Sequence, residues 1–196
     1  MRTAQLTHPP GYGYAVLPNV KATADTQYFT GSTTKAFTAA AVAQLVHDDE
    51  NYLDLHWTSP VNQYIRNDFV LGDEYITSHT TLEDALSHRS GLPRHDFILG
   101  IQNDTPSAIV QRMRHLPMTA APRTTWQYCN IMFIAMTDFL QTVTGLQLEA
   151  LLRERFWGPL GMKFTTFTMP VGKDASRLAK GYYWDCLLYT SPSPRD

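Results

Sequence analysis

At 196 residues, 43% hydrophobic and 17% charged, the chain has enough apolar material for a sizeable core and no more length than one domain needs. A formal net charge of -2, with the basic residues scattered, leaves no electrostatic footprint for nucleic acid, and no apolar run approaches the length of a membrane span. Of the two cysteines, Cys129 and Cys186, only the first lies within the body of the chain, so a disulfide framework is excluded.

Strand signals open the chain at Gly13 to Leu17 and Gln27 to Thr30. Gly31-Ser32-Thr33-Thr34-Lys35 then leads into the apolar stretch Ala36 to Val46. Apolar residues on nearly every side predict a central buried helix. In a helix, positions i and i+3 share a face, so Ser32 and Lys35 stand together as a nucleophile and its base. A buried lysine stem predicts a lowered pKa, which a lysine base requires. The same pairing also fits an ordinary capped helix, with Ser32 as N-cap and Lys35 solvated, although a cation there opposes the macrodipole.

Further on, Thr80-Thr81-Leu82-Glu83 reads as a capping box starting a short helix that Gly91-Leu92-Pro93 closes. Thr105-Pro106 starts another, with Ile109, Val110, Met113 and Leu116 on its inner face. Trp126-Gln127-Tyr128-Cys129-Asn130 stands before the apolar helix Ile131 to Thr144, which Gly145 stops. In extended chain, i and i+2 point the same way. Tyr128 and Asn130 therefore face one side, as a phenol that can shuttle a proton and an amide that can accept from Lys35. Cys129 points opposite, as a small buried thiol. The alternative is that Asn130 caps its helix and Tyr128 is a satisfied core aromatic. Gln147 to Phe156 forms a last helix ended by Gly158-Pro159, with strand signals after Phe164. His88 and His95 lack a metal-ligand spacing, so His88 is expected to be a structural residue of the turn Ser87 to Gly91. No metal and no cofactor are expected.

Taken together, the Ser32–Lys35 and Tyr128–Asn130 motifs resemble the serine β-lactamase and penicillin-binding protein superfamily, in particular its class C β-lactamase-like branch with a Y-x-N second motif. The segment Asp84 to Asp96, containing Ser87-His88-Arg89-Ser90-Gly91-Leu92, resembles that family's L-L-x-H-x-S-G-L signature. Pro159-Leu160-Gly161-Met162 and Leu178-Ala179-Lys180-Gly181-Tyr182-Tyr183 resemble two later ones. The resemblance runs from about Gly11 to Asp185. It implies an α+β, partial β-lactamase/transpeptidase-like fold, mostly the helical lobe (32–163) with a fragment of the antiparallel sheet, in a domain spanning 1–185.

The resemblance further implies that Ser32 is acylated, that Lys35 is its base or proton partner, that Tyr128 is an acid/base group and that Asn130 orients substrate. Substrates would be small molecules or peptides carrying an ester, amide or lactam. Fold alone does not choose among them, and a non-catalytic scaffold or assembly protein on the same fold is the alternative. The family's third motif, K-T-G or H-x-G, does not occur in the chain. Residues 186–196 resemble translated sequencing adapter and are set aside from fold reasoning, and the start also resembles a truncation. The chain by itself is accordingly expected to be inactive and poorly folded.

Overall fold

Caps and apolar spacing decide where this chain turns helical. The computed structural model describes residues 11–99, 104–168 and 176–182. The segment 186–196, expected to be foreign to the fold, lies outside the described residues. The chain divides into two compact units, Gly31–Met162 and the segments that flank it in sequence.

Within Gly31–Met162 the helices are α1 (Lys35–Val46), α2 (Glu74–His79), α3 (Leu82–Leu86), α4 (Pro106–Gln111), α5 (Asn130–Thr144) and α6 (Leu148–Leu152). The centre of the unit is α5, which lies against α1, α3 and α4. Its Ile131, Met132, Ala135, Met136, Phe139 and Leu140 are all fully buried. Full burial of each of the larger side chains here, Ala135 aside, contributes roughly 1.5–3 kcal/mol, so this face alone outweighs any helix propensity along α5. The central role expected for Ala36 to Val46 thus falls to α5. Helix α1 buries one face, Thr38, Ala41, Val42, Leu45 and Val46, while Ala36 is exposed and Ala39, Ala40 and Ala43 are half-exposed. A methyl group left in solvent exposes little apolar area, so an alanine-rich face tolerates partial cover.

The capping box sits one residue later than expected. Thr81 Oγ1 accepts from Asp84 N–H at 3.2 Å, and the Asp84 carboxylate accepts from Thr81 N–H at 3.1 Å. Thr80 is unavailable for this role because its hydroxyl donates to the Ile76 carbonyl at the end of α2 (2.7 Å), while Glu83 faces solvent. Helix α4 starts as expected, with Thr105 Oγ1 accepting from Ala108 N–H at 3.1 Å and Pro106 following it. Only Val110 and Met113 of its predicted inner face are fully buried, and Met113 belongs to a 3₁₀ turn, Arg112–His115. After α6 the backbone widens into a π turn, Arg153–Trp157, which buries Trp157 edge-on against Phe37 at 5.8 Å. The region between α1 and α3, for which the sequence offered no reading, contributes Val61, Ile65, Phe69 and Leu71 to the core.

The flanking unit holds a two-stranded antiparallel sheet, β1 (Tyr14–Val16) and β2 (Val20–Lys21), paired Tyr14 to Lys21 and Val16 to Val20. The strand expected over Gln27 to Thr30 is reduced to one parallel bridge, Gln27 to Leu178. Tyr28 and Phe29 are both exposed, so the alternation that fixes a half-buried strand is missing. Among the described residues, no single helix is long and apolar enough to cross a membrane.

One core group opposes its surroundings. Asp138 of α5 is only 5% exposed, its Oδ2 has no hydrogen-bond partner, and it meets Asp68, whose oxygens already accept from Ser107 (2.9 Å) and Gln111 (2.6 Å). Burial first, then the charge and contact of Asp68, push the Asp138 carboxyl up to about 6. Because the folded state holds this proton more tightly than the unfolded chain, stability is complete below the ordinary value of 3.8 and falls as pH rises to about 6. The loss amounts to roughly 3 kcal/mol at neutral pH. Asp138→Asn, which mimics the protonated acid, is expected to stabilise the protein at pH 7.5 by about 1–3 kcal/mol and to change nothing below pH 4. Denaturant unfolding at both pH values checks this, and an equal effect at the two would refute it.

Candidate active site

The sequence Gly31-Ser32-Thr33-Thr34 forms a 3₁₀ turn rather than the first turn of an α-helix. In a 3₁₀ turn, i and i+3 eclipse each other, so the Ser32 and Lys35 side chains are stacked more directly than an α-turn would place them. Gly31, at φ 53°, supplies the left-handed backbone that lets the chain enter this turn. Lys35 Nζ donates to Ser32 Oγ at 3.1 Å and to Asn130 Oδ1 at 2.6 Å. Ser32 is exposed and Lys35 half-buried, its ammonium 4.9 Å from the centre of the Tyr128 ring and 5.3 Å from that of Phe133.

Tyr128 reaches the same serine from the other side, its hydroxyl 2.6 Å from Ser32 Oγ. The extended backbone at Cys129 (φ -134°, ψ 111°) produces the expected alternation. Tyr128 and Asn130 meet the Ser32–Lys35 pair while Cys129 is fully buried, where burial pushes its thiol pKa up and away from nucleophilic use. Burial raises the pKa of the Tyr128 phenol, but hydrogen bonding to Lys35 and Ser32, with the charges of Lys35 and Arg94, outweighs it and leaves the value below the ordinary 10.

His88 seats this segment. It adopts φ 61°, and from that strained position its Nδ1 accepts the Cys129 N–H at 3.1 Å while its carbonyl accepts the Gln127 N–H at 2.9 Å. The backbone donor assigns the imidazole proton to Nε2. Burial and then the Lys35 charge hold its pKa below 6.5, favouring the neutral ring that can accept. That ring packs 4.5 Å from Tyr128 and 5.2 Å from Phe133. The turn role expected of His88 is thus joined by support of the Tyr128–Asn130 segment. Gly91, at φ 84°, lets the following chain pass Ala120, whose carbonyl oxygen a Cβ would meet at 2.2 Å.

Two further residues join the constellation, and sequence reasoning gave neither a role. Asp96 Oδ1 accepts from Asn130 Nδ2 at 2.9 Å, and Arg94 Nε donates to Asp96 Oδ2. The Arg94 guanidinium stands 5.7 Å from the Tyr128 ring centre. Their signal was present in Pro93-Arg94-His95-Asp96, inside a segment already singled out, but spacing alone does not show that it returns to Asn130. Among the described residues, no group of three or more His, Cys, Asp or Glu side chains could hold a metal ion.

The chain matches the Beta-lactamase family over residues 2–187. It belongs to that family. The unguisins hydrolase of Aspergillus campestris is 45% identical over 187 residues, an alignment covering 93% of this chain and 35% of that protein. The chain spans about a third of the length of the curated relatives it matches first. Among solved structures, a beta-lactamase/D-alanine carboxypeptidase from Yersinia pestis superposes with a TM-score of 0.71 at 25% identity, covering 86% of this chain and 48% of that one. A D-amino acid amidase from Ochrobactrum anthropi does so with a TM-score of 0.67 at 24% identity, covering 87% and 47%. This beta-lactamase family member therefore has part of the β-lactamase/transpeptidase-like fold, helix-rich with a small antiparallel sheet, and its family includes proteins named as hydrolases.

His88→Ala is expected to leave the buried Cys129 N–H without an acceptor and to cost about 1–3 kcal/mol. A depressed imidazole pKa makes this contribution complete above pH 6.5 and lost as pH falls, so the deficit relative to the unmodified protein should shrink in acid. Urea unfolding at pH 8 and pH 5 measures it, and a deficit that grows toward pH 5 would contradict the role.

Proposed function

We propose that the chain carries the acyl-transfer centre of a serine hydrolase acting on an ester, amide or lactam. The observation that supports this best is the convergence on one hydroxyl, Ser32 Oγ, of Lys35 Nζ at 3.1 Å and Tyr128 OH at 2.6 Å. A serine hydroxyl is a poor nucleophile until a neighbour takes its proton. Here a phenol of lowered pKa lies within direct transfer distance, beside the Lys35 cation that favours its ionised form.

In this reading Ser32 Oγ attacks the substrate carbonyl carbon as its proton passes to the Tyr128 phenolate, with Lys35 holding the charge balance. The Ser32 N–H, in the 3₁₀ turn that precedes α1, is one donor to the developing oxyanion. When the intermediate collapses, the proton on Tyr128 passes to the departing nitrogen or oxygen. Water then attacks the acyl ester and gives up its proton to the Tyr128 phenolate, and as the ester C–O bond breaks that proton passes to Ser32 Oγ, releasing the acid and restoring the serine. Asn130 accepts from Lys35 through Oδ1 and presents an N–H to the substrate carbonyl side. The 45% identity to a protein named as an unguisins hydrolase supports water as the acceptor.

The test is acylation of the full-length protein by a fluorophosphonate probe, read by intact mass. Ser32→Ala is expected to abolish the adduct, and an adduct of unchanged stoichiometry would sink the proposal. No adduct on the unmodified protein would favour a non-catalytic scaffold. Tyr128→Phe is expected to slow acylation by about 10²–10⁴-fold. Since the active form is the phenolate, the rate should climb with pH to a midpoint below the ordinary phenol value of about 10, and this limb should vanish in the phenylalanine variant.

A further inference from the structure

We propose that Asp96, clamped by Arg94, sets which end of the Asn130 amide faces Lys35 and so acts as a positioning residue for Ser32 acylation. The inference rests on the acyl-transfer reading above for its kinetic part and on hydrogen-bond chemistry for the rest.

An asparagine amide is nearly symmetric in shape, and either end fits the same space. Its orientation is chosen by its neighbours. An ionised carboxylate only accepts and an ammonium only donates. With Asp96 Oδ1 at 2.9 Å on one side and Lys35 Nζ at 2.6 Å on the other, Asn130 satisfies both only with its NH₂ toward Asp96 and its oxygen toward Lys35. The flipped amide would set N–H groups against the ammonium and a carbonyl against the carboxylate, wrong at both ends. Both contacts are charge-assisted, the stronger class of hydrogen bond. One amide N–H is occupied by Asp96, which leaves the second for a substrate.

Arg94 completes the device by taking the other carboxylate oxygen, Asp96 Oδ2. Both oxygens of Asp96 are thus assigned, and the acid cannot rotate without losing a partner. Asp96 starts a short 3₁₀ turn, Asp96–Ile98, and Arg94 is 65% exposed, so the pair itself adds little to stability. A role in stability and a role in orientation therefore predict different results.

In Asp96→Asn, the partner of Asn130 can donate as well as accept, so one of the two contacts that select the amide's orientation is gone and Lys35 alone holds it. Fluorophosphonate acylation of the full-length protein should show the saturating rate constant falling about 10–100-fold, with the half-saturating probe concentration little changed. Asp96→Glu, which keeps an accept-only group, should recover most of the rate. A second readout does not depend on acylation. In protein labelled with ¹⁵N-asparagine, the Asn130 side-chain NH₂ pair should be widely split by the carboxylate, and the splitting should collapse in Asp96→Asn and persist in Asp96→Glu. Unchanged acylation and an unchanged amide pair in Asp96→Asn would overturn the proposal, as would equal loss in the Asn and Glu variants. Collapse of the amide pair in a protein that never labels at Ser32 would uphold the orientation by Asp96 and sink the acyl-transfer reading instead.

Discussion

The carboxylate of Asp84 is the constraint on which the site geometry depends. It is 97% withdrawn from solvent, and four donors meet it: Thr81 N–H and Oγ1, and the Nε and Nη2 of Arg123 at 2.8 to 3.1 Å. Burial alone would raise its pKa, but Arg123 and the Thr81 contacts outweigh that and hold it below the usual carboxylate range. A charge buried this deeply is tolerated only when its partners are complete, and removing one is far more costly than any surface pair. The position of Arg123 is consequently not free. Its backbone, at φ 67°, donates to the Arg89 carbonyl at 2.7 Å, and Arg89 N–H donates back to the Asp84 carbonyl at 2.9 Å. Helix α3, the turn holding His88 and the approach to Tyr128 are thereby fastened at one point.

From that point the arrangement propagates by short links. His88 adjoins Arg89 and receives the Cys129 amide, which sets Tyr128 and Asn130 on either side. The serine and lysine, by contrast, need only their own turn. The candidate centre thus has a local half, four residues long, and a long-range half whose placement depends on the ion pair of a buried Asp84 with an exposed Arg123, 39 residues apart in sequence. Charge alternates through it: Arg94, Asp96, Lys35, with the polar Asn130 between the last two. That order keeps a cation beside the serine while each of the three charged groups holds a hydrogen-bond partner.

This division explains what could be read in advance. Ser32 with Lys35, and Tyr128 with Asn130, follow from the periods of helix and strand, so their shared faces were legible from spacing. So were the caps at Thr105 and Gly145, where a single residue type carries the signal. The capping box slipped by one because two threonines and two acids stand in succession, and only the competing bond from Thr80 to Ile76 decides between them. The bond from Asp96 to Asn130, the seat that His88 offers Cys129, and the embrace of Asp84 by Arg123 join residues 34 to 41 positions apart. No local pattern encodes such pairings; tertiary packing selects the partner. The central place assigned to α1 failed for a related reason, since alanines read as apolar while demanding little cover.

The extended residue at Cys129 gives the segment the logic of a parity rule. Identity there matters only to the core, because the side chain never enters the space shared by Ser32 and Lys35, and any small apolar group of similar volume meets the same requirement. Length is another matter. One residue gained or lost between Tyr128 and Asn130 would turn phenol and amide to opposite faces, sending one of them into the interior. Lineages descending from such a chain are therefore free to drift in composition at this position and held fixed in count.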